Sequence, residues 1–299
     1  LAVKNTSLDG NISRRIKLYI LMSDFTNSWF CSLRGYAATT KEKHDTFYLA
    51  AIMPLLDDLT DSLQIPSIDI IKDLKNNKDS LHQSMPAIRY LYNKLLNNCS
   101  DSFVKLFHEA LEVQDKSILQ LENHTLDTAI LKQITYEKGG ISTFLFRLVL
   151  ENSLVKNEEK AIYELGYLIQ LINDMFDIHK DYLNKQQTLF TNATSLKPCF
   201  NEYKNTLDNV ITNFMSLDYD HSNSIKALSK ISTITSRAQV CIEQLLACEK
   251  STQGSFKIEF YERKKLICDM DTIKNIFKSY RFSVTFYKQL LKLDRKSTR

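Results

Sequence analysis

Apolar residues recur every three or four positions along most of this chain, the repeat of an α-helix with one buried face. Following that repeat predicts helices over 12–33, 41–63, 67–76, 84–97, 101–122, 124–138, 141–152, 157–184, 198–216, 221–248 and 270–293. Arg34-Gly35 ends the first helix and Ile65-Pro66 stops the second. Pro54 lies inside the second, where it removes one ladder hydrogen bond and should kink the helix. Lys138-Gly139-Gly140 breaks the pattern, which resumes at Ile141. The stretch 251–262 (STQGSFKIEFYE) is the least regular and reads as a loop or a short strand-like piece. No Ser/Gly linker and no internal repeat interrupts the series, so 1–299 reads as a single all-α domain.

Composition supports a helical chain. With 6 Gly and 4 Pro in 299 residues, the turn residues that every hairpin of a sheet or barrel needs are missing. A hydrophobic fraction of 43%, with 14 Tyr and 16 Phe, supplies ample material for a buried core. The net charge of +4 is small, and basic residues are dispersed apart from a C-terminal DRKSTR tail, which reads as solvated. Nucleic-acid binding normally requires a clustered basic stripe and is not expected. The six cysteines form no CxxC pair and have no His at metal-ligand spacing, so neither a disulfide framework nor a zinc site is expected and a cytoplasmic location fits. Cys241 and Cys248 share a helix face and read as packing residues. No run of 18 uncharged apolar residues is present, so no transmembrane segment is expected. The chain begins at Leu1 without Met, and a removed targeting segment stays open.

Two acidic strings carry the candidate chemistry. The first is Asp57-Asp58-Leu59-Thr60-Asp61; the second, NDMFDIHKD, runs from Asn173 to Asp181. At about 100° per residue, Asp57, Asp58 and Asp61 fall within one face, and Asn173, Asp174, Asp177 and Asp181 fall within another. Gly166 and Gln170 join the second face at roughly 20° and 60° from Asn173, while Leu168, Leu171, Ile172, Met175, Phe176 and Ile178 fill roughly 140° to 300°. A solvated helix would mix charges of both signs to make i,i+4 pairs. Here the polar sector is nearly all acidic or amide, with Lys180 at its margin, which predicts a buried helix turned toward a cavity, with the two acidic faces meeting across it.

Burying several unpaired carboxylates costs several kcal/mol each, so a cation must stand opposite. Carboxylate oxygens without thiolates suit Mg²⁺, which takes one or two carboxylates plus substrate phosphates. Phe47, Ala50, Ala51 and Pro54 precede the first string on the same face and could wall an apolar pocket. A diphosphate would sit on the metals with its hydrocarbon in that pocket.

These residues resemble the class I isoprenoid synthases, the all-α family of trans-prenyl diphosphate synthases, terpene cyclases and squalene/phytoene synthases. Asp57, Asp58 and Asp61 match the family's DDxxD motif in full. Gly166, Gln170, Asn173, Asp174, Asp177 and Asp181 match GxxxQxxDDxxDxxxD except that Asn173 replaces its first Asp. Asn173, Asp177 and Asp181 also fall on the ligand positions of the cyclase NDxxSxxxE triad, with Asp in place of Ser and Glu. Tyr136-Glu137-Lys138-Gly139-Gly140 resembles the helix break with a diphosphate-binding Lys-Thr, keeping the Lys. The Arg-Arg pair that follows DDxxD in chain-elongating members is absent from Ser62-Leu63-Gln64-Ile65-Pro66. Tyr280-Arg281 is similar, in reversed order, to an Arg-Tyr pair that closes some cyclase sites.

The resemblance implies a single-domain helical bundle around a central cavity and a terpene synthase acting on a linear polyprenyl diphosphate. It implies more than one Mg²⁺ held by Asp57, Asp58, Asp61, Asn173, Asp174, Asp177 and Asp181. Lys138, Arg147, Gln170, Lys180 and Arg281 would bind the diphosphate, and Phe47 and Ala51 the hydrocarbon. Aromatic faces at Phe47, Tyr48, Phe144 and Phe176 would stabilise carbocations. The alternatives are a trans-prenyltransferase, either chain-elongating or squalene/phytoene synthase-like, and a non-catalytic isoprenoid-binding helical protein. A di-iron bundle would need ExxH pairs, and none occur. Substrate length and oligomeric state stay open, although all-α enzymes with apolar outer helices often form homodimers.

Overall fold

A computed structural model of the chain describes residues 10–76, 81–121 and 124–297, with side chains described as far as residue 293. The DRKSTR tail read above as solvated therefore lies outside the described side chains. All regular structure among the described residues is helical, as the periodicity predicts. No described helix is long and apolar enough to cross a membrane. The chain divides into two compact units, Leu1–Ile118 with Ile141–Leu154 and Leu119–Gly140 with Val155–Arg299. Each unit is discontinuous in sequence, so no linker marks the division.

In the first unit α1 (Gly10–Arg34) packs on α2 (Thr40–Asp57) and α2 on α4 (Met85–Leu96), while α3 (Ser67–Lys75) packs on α4 and on α5 (Asp101–Ser117). Gly35 ends α1 with its N–H donating to the Cys31 carbonyl at 2.9 Å and a φ of 78°, a conformation glycine adopts at least cost. Thr39 and Glu42 then start α2 with a reciprocal capping box. Glu42 is wholly buried. It accepts from the Arg34 guanidinium at 2.7 Å and from the Glu151 backbone N–H at 2.8 Å, tying the segment after α6 to the α1–α2 turn.

α6 spans Thr128–Leu148. Its residues through Gly140 belong to the second unit and the remainder to the first. In the second unit α10 (His221–Ser251) packs against α7 (Glu158–Phe176), α9 (Lys197–Met215), α11 (Arg263–Leu266) and α12 (Ile273–Ser297). The apolar sector drawn on the α7 wheel is buried as expected: Leu168, Leu171 and Met175 are each 0% exposed. Cys241 and Cys248 are buried, in agreement with a packing role.

The structure corrects three boundaries. Lys138-Gly139-Gly140 does not break the chain, because α6 runs through it. Residues 157–184 are not one helix: α7 stops at Asp177 (φ −88°, ψ 3°) and α8 (Ile178–Leu183) begins beyond it. The helix bearing the first acidic string widens into a π-helical turn over Asp58–Ser62, with the Leu63 N–H donating to the Asp58 carbonyl at 3.1 Å. Pro54 lies within α2, where its missing N–H removes the ladder bond to the Ala50 carbonyl. The 251–262 stretch is a loop, the first of the two readings above, with a 3-10 turn at Ile258–Phe260.

Candidate functional site

In the second unit, the end of α7 brings together three of the predicted ligands. Asp174, in its last full turn, is 4% exposed and accepts a 2.8 Å hydrogen bond from the Gln170 amide one turn earlier. Asp181 on α8 is 5% exposed, and no described residue gives its carboxylate a hydrogen bond or an ion pair. Asp177 stands at the break between the two helices and pairs with Lys180 at 3.2 Å on the exposed side. Asn173 is exposed. The break changes the wheel: Asp177 falls where the helical ladder stops, and Asp181 belongs to a separate helix.

The electrostatics follow from this crowding. Burial raises the Asp174 pKa to about 6; the Gln170 hydrogen bond and the Lys138 charge oppose that shift and the Asp177 charge adds to it. Burial raises Asp181 further, to about 7, reinforced by the charges of Asp174 and Asp177 and opposed by those of Lys180 and Lys138. Both carboxyls resist ionising because burial outweighs the nearby lysine charges.

Lys138 reaches this cluster because of how α6 crosses α7. At the crossing, a methyl group built on Gly166 would lie 2.2 Å from the Gly139 carbonyl oxygen, and one built on Gly140 would lie 2.3 Å from the Tyr163 ring. Only glycine allows backbone to approach this closely. Each glycine costs about 1 kcal/mol of helix propensity relative to Ala, and the contact with α7 offsets that cost. The Gly-Gly pair is thus a docking point inside a helix, and the residue just before it faces the acids.

The first acidic string has a different environment within its own unit. Asp58 forms an ion pair with Arg15 of α1. Asp57 accepts from the Tyr19 hydroxyl at 2.9 Å and from the Gln114 amide at 3.3 Å. Burial, the Asp57 charge and the hydrogen bond to it raise the Tyr19 pKa, so this phenol stays a donor. Asp61 is exposed and accepts from the Thr60 hydroxyl at 3.3 Å. Arg15, Tyr19 and Gln114 were missed by reading the sequence, since a search for bases only after the motif cannot see a helix some forty residues before it. The available signal was that Arg15 and Tyr19 lie four residues apart, on one face of α1.

Of the remaining predicted residues, Phe47, Ala51 and Arg147 belong to the first unit and Arg281 to the second. Phe47 is half-buried and Ala51 buried, both on α2. Arg147 is 1% exposed and donates to the carbonyls of Asn152 and Ser153 at 3.3 and 3.4 Å, serving the backbone that leaves α6. Arg281 is exposed on α12.

No three His, Cys, Asp or Glu side chains among the described residues converge tightly enough to hold a metal by themselves. Mg²⁺ does not require that, because it keeps several waters and takes one or two carboxylates together with substrate phosphates. The Asp181 carboxylate, beside two further acids, supplies oxygen donors of the kind such a hard cation takes. No family model matches this chain, and no curated protein or solved structure matches it significantly.

Proposed function

We propose that the protein is an Mg²⁺-dependent class I terpene synthase that ionises a linear polyprenyl diphosphate and releases diphosphate to give a hydrocarbon or alcohol. The observation that carries this reading is the grouping of Asp181, 5% exposed, with Asp174 and Asp177 at the end of α7. A divalent cation among these acids would let them ionise together, which burial and their mutual repulsion otherwise oppose.

In this reading Asp174, Asp177 and Asp181, with Asn173, hold Mg²⁺ at the end of α7, and Asp57, Asp58 and Asp61 hold it at the π-helical turn. Bound there, Mg²⁺ would supply the Lewis-acid charge that stabilises diphosphate as the C–O bond breaks. Gln170 fixes the orientation of the Asp174 carboxylate through its 2.8 Å hydrogen bond. Lys138, carried on the glycine crossing, offers its ammonium to the diphosphate, and Lys180 exchanges Asp177 for the same anion. Arg15 takes the place of the missing bases after Asp61: its guanidinium already rests on Asp58 and can grip phosphate oxygens bidentately.

Incubation with a single allylic diphosphate, with and without isopentenyl diphosphate, tests this assignment. A hydrocarbon or alcohol formed from the single substrate supports it. A longer diphosphate, formed only when isopentenyl diphosphate is present, assigns the protein to the chain-elongating prenyltransferases instead.

A further inference from the structure

α12 divides into three longitudinal sectors. The inner sector packs on α10 through short side chains: the hydroxyls of Ser279 and Ser283 bond those of Ser236 at 2.9 Å and Ser232 at 2.7 Å, and Leu290 is 1% exposed. Taking Ile273 as zero, this face covers roughly 180° to 280°. The next sector, roughly 300° to 40°, carries Ile273, Ile276, Phe277, Tyr280 and Tyr287, which are 46–74% exposed. The third, roughly 60° to 140°, carries Lys274, Lys278, Arg281, Lys288 and Lys292. Among the described residues only Lys278 of these is paired, to Glu243 at 2.6 Å, and no acidic residue occurs anywhere in 272–293.

An apolar stripe edged along its length by unpaired cations is the pattern of a helix lying in a membrane interface. We propose that the outer face of α12 docks on an anionic lipid surface, with the aromatic and aliphatic stripe entering the headgroup boundary and Lys274, Arg281, Lys288 and Lys292 meeting lipid phosphates. Charge complementarity selects this occupant. A second copy packed antiparallel along the stripe would bring an identical row of cations against the first, whereas anionic headgroups neutralise all four. The serine contacts with α10 hold the helix in one rotation, so the stripe and the basic row face outward together. Aromatic rings at 277, 280 and 287 suit the headgroup depth, and the lysine stems can extend along the apolar surface to reach the phosphates.

The test is co-sedimentation of the full chain with vesicles of phosphatidylcholine alone and of phosphatidylcholine mixed with phosphatidylserine. The chain should bind the mixed vesicles, bind the neutral ones far more weakly, and lose affinity as salt is raised. The Lys274→Gln/Lys288→Gln/Lys292→Gln variant should bind the mixed vesicles on the order of a hundredfold more weakly, at roughly fivefold for each cation removed. Phe277→Asp should lower binding at least about tenfold. Circular dichroism should show both variants folded, and if Phe277→Asp is not, the glutamine variant decides. Failure of the unmodified chain to bind mixed vesicles, or equal binding by the glutamine variant, overturns the proposal. So does a concentration-dependent dimer that Phe277→Asp dissociates in a chain that captures no vesicles.

Discussion

Gly139 and Gly166 meet backbone against backbone, so closely that a methyl group on either would fall 2.2 Å from the other's carbonyl oxygen. Gly166→Ala should therefore force α6 and α7 apart. Overpacking of this kind costs about 1–3 kcal/mol, read as a lower denaturant midpoint with an unchanged m-value. The same displacement moves Lys138 away from Asp174 and Asp181, so diphosphate release should fall more steeply than stability. A variant as stable and as active as the unmodified chain would show that the crossing does not position the site.

The buried acids make stability depend on pH. Burial holds the folded-state pKa of Asp174 at about 6 and of Asp181 at about 7, above the unfolded value of about 4. The stabilising effect of keeping these protons is complete below about pH 4 and is lost as pH rises through both folded-state values. Without Mg²⁺, Tm should fall across that window, and Asp181→Asn should flatten the decline. Mg²⁺ binds the ionised forms, so it should raise Tm by roughly 5 °C at about pH 8 and by little at about pH 5. Thermal melts at the two pH values, with and without Mg²⁺, check this.

Arg15 and Asp58 form a partly exposed pair, with side chains 38% and 27% exposed. Pairs in that setting contribute about 0–1 kcal/mol. Arg15→Gln should leave the melting curve nearly unchanged. If Arg15 grips the diphosphate, the same substitution should lower kcat/KM by on the order of a hundredfold, as loss of a charged contact in the transition state does. Equal losses of stability and activity would mean that Arg15 only buttresses α2.

Glu42 carries no proposed chemistry and provides a stability control. Its carboxylate is 0% exposed and holds Arg34, which is itself buried. Removing one partner of a buried pair costs about 3–5 kcal/mol, because the other charge is left uncompensated. Glu42→Ala should therefore lower stability by that amount in a urea titration.

How far the sequence discloses this structure depends on the residue. The apolar repeat finds most of the helices, since Leu168, Leu171 and Met175 sit where the wheel puts them. It fails at Gly139-Gly140, where low helix propensity is outweighed by a tertiary contact that propensity cannot register. It fails again at Asp177 and over Asp58–Ser62, where the helix stops or widens within the acidic strings themselves. Sequence motifs located Asp174, Asp177 and Asp181, but the burial that singles out Asp181 is a property of packing. Arg15 was hidden because it lies far from Asp58 in sequence.

The central claim is tested most directly by diphosphate release, measured over prenyl diphosphates of increasing chain length with and without Mg²⁺. The unmodified chain should release diphosphate from at least one of them only when Mg²⁺ is present. Asp181→Asn should keep its fold and lose on the order of a hundredfold or more of that rate. No release from any substrate with Mg²⁺, or release that Asp181→Asn leaves intact, would contradict the account.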